Sequence, residues 1–187
     1  MKAVDISFSN TDILRGMIGK TFEKYKCDPF VFSPSVYGIV GFYIGTEIYR
    51  LTSLTKSVSR FFSDEEVAVF QMDKVTDEDI VTMMDEGQMI DTPVKDTVQS
   101  IDLIIDQEKV SHNGEDRTLI STKGIIFHLA SGNELSFEIR TWFSEFITIQ
   151  KGYELIKKFI PTQEFLDEWE DSDGYEASIR REVITIH

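Results

Sequence analysis

The feature that most constrains this chain is a two-residue alternation over residues 119–140. Ile125, Phe127 and Leu129 alternate with their neighbours up to the turn Ser131-Gly132-Asn133. Beyond it Leu135, Phe137 and Ile139 point one way, while Glu134, Ser136, Glu138 and Arg140 point the other. A period of two on both sides of a glycine turn predicts an antiparallel hairpin with one apolar and one wet face.

An earlier segment has the same plan. Gly38-Ile39-Val40-Gly41-Phe42-Tyr43-Ile44 runs to a turn at Gly45-Thr46 and returns through Glu47-Ile48-Tyr49-Arg50-Leu51. Downstream, Phe61-Phe62-Ser63-Asp64 precedes the strand-like Val67-Ala68-Val69-Phe70-Gln71, as Trp142-Phe143-Ser144-Glu145 precedes Phe146-Ile147-Thr148-Ile149-Gln150. This shared order suggests an old duplication, although turn chemistry alone imposes glycines on any two hairpins. Adjacent aromatics on a strand face opposite ways, so one member of each pair is expected in the core and the other outside.

Between these stretches, residues 73–96 carry eight acids against Lys74 and Lys95 and read as a solvated connector. Thr76 is placed to cap a short helix through Ile80, Met83 and Met84, with Gly87 ending it. Ile13, Leu14, Met17 and Ile18 suggest another short helix. Leu155, Ile156, Phe159 and Ile160 share a helical face that Pro161 stops, and Thr162 is placed to cap a helix from Gln163 to Glu170. A strand over 182–186 ends the chain. The expected fold class is α+β, mostly antiparallel β, with two similar β-rich halves and short helices. All 187 residues are read as one domain: a half over about 11–75, a connector over 76–96, a half over about 97–160, and a C-terminal helix and strand over 161–187.

Charge narrows the function. Nineteen Lys and Arg against thirty-three Asp and Glu give a net charge of −14, which repels phosphate and attracts basic surfaces, so no direct nucleic-acid contact is expected. The longest apolar window, residues 36–44, is far short of a membrane helix, and Met1-Lys2-Ala3-Val4-Asp5-Ile6 leads into polar residues rather than a secretory stretch. With a single cysteine, Cys27, a cytoplasmic location is expected, with no membrane partner.

Motifs that carry chemistry are incomplete. Gly19-Lys20-Thr21 resembles the end of a phosphate loop, but the required first glycine is Leu14 and the following residues look like a strand. Asp171-Ser172-Asp173-Gly174 resembles the middle of a calcium loop, yet counting Gly174 as the sixth position puts Trp169 at the first and Arg180 at the twelfth. His112, His128 and His187 are too far apart for a zinc pair, and His128 is read as a sheet residue. Cys27 is read as an ordinary buried thiol. Neither a cofactor nor a metal is expected.

The most lopsided stretch is 163–176, with seven acids, no Lys or Arg, and Phe165, Leu166, Trp169 and Tyr175 among them. Acids with a few aromatic anchors suit a basic protein surface, and Glu168, Trp169, Glu170, Asp171 and Asp173 are the candidate partner-binding residues. The function expected is a non-enzymatic acidic binding protein, an immunity or antagonist protein of a nucleic-acid-handling partner. The rival readings are a small carboxylate or divalent-metal enzyme and a β-surface assembly protein.

Overall fold

The computed structural model describes residues 2–32, 34–84 and 88–187. Its strands are β1 (Lys2–Asp5), β2 (Thr21–Cys27), β3 (Ser35–Tyr37), β4 (Ile39–Ile44), β5 (Glu47–Arg60), β6 (Ser63–Val75), β7 (Ile90–His112), β8 (Glu115–Leu129), β9 (Glu134–Glu138), β10 (Phe146–Gly152) and β11 (Tyr175–Ile186). Two short helices, α1 (Thr11–Arg15) and α2 (Gln163–Asp167), and 3-10 turns at Asp77–Asp79 and Leu155–Lys158 complete it. The protein is mostly antiparallel β sheet, as expected. Among the described residues no helix is long and apolar enough to cross a membrane.

The strand order is β3-β10-β9-β8-β7-β2-β4-β5-β6, with β1 added parallel to β8 and β11 antiparallel to β7. Outward from the β2/β7 pair it runs β4, β5, β6 on one side and β8, β9, β10 on the other. β7 is shared by the two parts of the sheet. Its first residues pair with β2 from Ile90 to Thr97, and the rest pairs with β8 from Val98 to His112. The inner faces meet on an aromatic cluster: Phe42 lies 5.5 Å from Phe22, 5.4 Å from Phe127 and 4.6 Å from Phe137, ring centre to ring centre. All four rings are fully buried, and their tilted and edge-on packing is the arrangement aromatic quadrupoles favour.

The two hairpins form where the alternation places them, with Phe127 opposite Leu135 and Ile125 opposite Phe137 in one, and Phe42 opposite Tyr49 in the other. The second face of the later hairpin is not wet, however. Ser136 and Glu138 are buried, because residues 155–160 return across it and pack Leu155 and Phe159 on Ile104 and Ile126.

Other elements depart from the sequence reading. The stretch expected as connector through Asp96 is already strand from Ile90. The helix expected after Thr76 is a single 3-10 turn, its start held by the Asp79 carboxylate accepting from the Thr76 N–H and hydroxyl at 2.8 Å each. Gly87, its expected end, lies outside the described residues, as do Asp85 and Glu86. The helix expected over 155–160 is one 3-10 turn that becomes extended at Phe159, and Thr162 is itself helical and makes no side-chain cap.

Gly124 carries the close approach of this returning segment. A Cβ there would collide with the Phe159 ring and stand 2.7 Å from the Phe137 carbonyl oxygen, a backbone atom that cannot move aside. Gly124→Ala is therefore expected to destabilise the fold by about 1–3 kcal/mol in urea denaturation. An unchanged midpoint would show that Phe159 does not lie on this strand.

Candidate functional site

The acidic stretch is held by its apolar residues. Phe165 is buried against Phe61, Val110 and Leu119, and its ring centre is 5.8 Å from that of Phe61. Four residues on, Trp169 stands edge-on to Phe61 at 5.6 Å and tilted over Tyr175 at 5.3 Å. Trp169 is thus half-buried and docks inward, with its indole Nε1 buried and unpartnered. Past α2 the chain stays wound in turns: the Trp169 N–H donates to Leu166 O at 3.0 Å and the Ser172 N–H to Trp169 O at 3.1 Å.

The surface beneath comes from the β5–β6 turn. Arg60 pairs with Ser63, so Phe61 and Phe62 form a two-residue loop, and Phe61 has a φ of 56°, where glycine is usual. Its ring is buried while that of Phe62 is exposed, so the aromatic pair divides between inside and outside. Trp142 and Phe143 divide similarly, half-buried and exposed. Arg60 is only 7% exposed; its guanidinium lies 3.9 Å from the Trp142 ring centre and 4.9 Å from that of Phe61. Glu168 meets it at 3.0 Å. Of the five candidate residues, Trp169 and Glu168 therefore hold the segment in place. Glu170, Asp171 and Asp173 are exposed and form no ion pair among the described residues.

Below this segment lies a cavity of about 140 Å³, lined by residues that local sequence pattern does not bring together. Its floor is charged. Arg181 donates to both Asp106 oxygens at 2.7 Å and to the Ile160 carbonyl at 2.9 Å, and Lys123 meets Glu108 at 2.8 Å. The fork-to-carboxylate geometry of the first pair is what makes its burial tolerable. Glu108 keeps one buried oxygen, Oε2, without a partner. Glu164, Glu168, Arg140 and Trp142 also line the cavity. The lining is largely charged, and its hydroxyls, those of Thr141 and Thr162, bond no carboxylate or histidine among the described residues.

The remaining motifs are accounted for locally. Lys20 donates to Glu47 at 2.6 Å, and Lys20, Lys74 and Tyr49 together pull the Glu47 carboxyl down to about 2. The Gly19 N–H is taken by Val98 O. His128 faces Asp102 at 2.7 Å through Nε2 and Glu134 at 3.5 Å through Nδ1, so carboxylates flank both nitrogens of a half-buried sheet residue. His112 stacks on Tyr175 at 4.0 Å and bonds the Gly174 carbonyl at the end of the Asp171-Ser172-Asp173-Gly174 turn. Among the described residues no three His, Cys, Asp or Glu side chains converge to hold a metal ion. Cys27 is buried, and burial first and Asp28 second push its thiol up to about 12, well away from thiolate reactivity.

Compared with protein families, characterised proteins and solved structures, this chain has no match.

Glu138 marks the strain in this region. One oxygen accepts from the Ile160 N–H at 2.6 Å, the other is buried without a partner, and burial raises its pKa. A carboxyl raised in the folded state opposes folding once ionised. That penalty is absent below the ordinary carboxylate range and grows as pH rises through the folded value. Glu138→Gln is expected to melt higher than the wild type near pH 7, with the gap closing toward about pH 4. A gap equal at both pH values would contradict a titrating origin.

Proposed function

We propose that this protein is a non-enzymatic acidic binding protein whose α2–β11 segment engages a basic surface on another protein. The observation that carries the reading is the division of labour within 163–176. Phe165, Trp169 and Glu168 are spent on anchoring, which leaves Glu170, Asp171 and Asp173 presented on a fixed surface without local counter-charges among the described residues. Fixed carboxylates lose less conformational freedom on association than a mobile acidic tail, and the net charge of −14 adds long-range steering. A basic patch built for phosphate is the surface such an array fits, which suits an immunity or antagonist protein of a nucleic-acid-handling partner in the cytoplasm.

The strand order supports an old duplication in the same way. Gly45 and Gly132 both turn with positive φ, in the β4–β5 and β8–β9 hairpins at corresponding distances from the β2/β7 pair. The halves differ in proportion, since β5 has 14 residues and β9 has 5.

The test is charge reversal at Glu170, Asp171 and Asp173, each to Lys. Glu168 is excluded because reversing it would strand the buried Arg60. Each exposed substitution is expected to change stability by no more than about 0.5 kcal/mol. Capture of basic proteins from a lysate of the source cells is expected to fall sharply, and added salt is expected to mimic the loss because exposed charge is screened over about 8–10 Å. If the reversed protein captures the same set as the wild type at low salt, the acidic surface serves solubility alone.

A further inference from the structure

β11 presents a different surface. It pairs with β7 through twelve unbroken registers from Tyr175 to Ile186, and its other edge meets no strand among the described residues. Free N–H and C=O groups along such an edge recruit another strand, and proteins ordinarily blunt it with proline, a bulge, charged side chains or a covering element. β11 contains no Pro, Gly or Lys and its register has no bulge; its charges, Glu176, Arg180, Arg181 and Glu182, are of both signs and so can pair with those of a second copy, and Val183 and Ile184 stand 45% and 40% exposed.

We propose that β11 pairs antiparallel with β11 of a second copy of this chain, about a two-fold axis at Arg181. A two-fold axis normal to the sheet keeps each face continuous and sets residues equally far before and after the axis opposite each other. An axis at Arg180 would set Arg180 against itself, and an axis at Glu182 would do the same with Glu182. At Arg181 the side chains nearest the axis match. Arg180 faces the partner's Glu182 on one face and Ile179 faces the partner's Val183 on the other, each twice by symmetry, and opposite-charge and apolar cross-strand pairs are the favourable kinds. Arg181 meets its own copy, but its guanidinium is already turned onto Asp106 and the Ile160 carbonyl. The contact is isologous, so it closes at two copies and leaves no β11 edge for a third. It is independent of the acidic-surface reading, whose residues precede β11.

The experiment is light scattering after size exclusion, supported by sedimentation equilibrium, on the full chain at tens of micromolar. The wild type is expected near twice the 21.5 kDa chain mass. Arg180→Glu and Glu182→Arg each place two like-charge pairs in the contact and are expected to weaken self-association by about tenfold or more. The double variant Arg180→Glu with Glu182→Arg restores both pairs and is expected to restore the dimer. A monomeric wild type overturns the proposal and leaves this edge to a strand of some other protein. A dimer that both single variants retain, or that the double variant fails to recover, also overturns it, because the contact then lies elsewhere or in another register.

Discussion

The placement of the acidic segment depends on one strained residue. Phe61 sits in the left-handed region at a hairpin position that favours glycine, a cost of about 1–3 kcal/mol that persists only where surrounding structure holds it. What holds it is its ring, buried with Val110, Leu119 and Phe165 and met edge-on by Trp169. The same turn brings Arg60 beneath Glu168, wedged between the Phe61 and Trp142 rings. Two aromatic contacts and one charge pair therefore join a hairpin in the first third of the chain to a segment close to its end. Without them α2, at five residues, is too short to be stable alone.

Burying charge is the second constraint. Asp106, Glu108 and Lys123 are all less than a tenth exposed, and Arg181 closes over Asp106. Pairs of this kind seldom add net stability over apolar side chains, but removing one partner is strongly destabilising, so they restrict how the covering segment can sit. The Ile160 backbone shows the restriction directly. Its carbonyl is taken by Arg181 and its N–H by Glu138, which pins the chain on both sides just before Pro161 and α2. The raised Glu138 carboxyl is a cost of this arrangement.

Much of the strand architecture was legible because the inner face of each hairpin follows a period of two that no other element tolerates. The outer face misled because its cover comes from residues 155–160, which a local pattern around Glu138 does not contain. Residues 90–96 read as connector because Asp91, Pro93 and Asp96 are poor strand formers. They pair with β2 all the same, where β2 shifts register between Phe22 and Lys24 and Lys95 takes a φ of 52°. Phe165, Leu166 and Trp169 are spaced three and four residues apart, so they share one side of a helix, and that side is the anchoring one, which turns Trp169 from a candidate partner contact into a support of the segment. The cavity floor was hidden by its composition, since Asp106, Glu108 and Lys123 are residue types ordinarily assigned to solvent.

The acidic residues are presented by a docked segment, not a loose one. Amide hydrogen exchange resolved by residue tests this most directly, since it reads the opening of the turns at Glu168, Trp169 and Ser172. These amides are expected to be protected and to open together with the neighbouring amides of β11. Exchange of all three at unfolded-chain rates, with β7 and β8 still protected, would contradict docking.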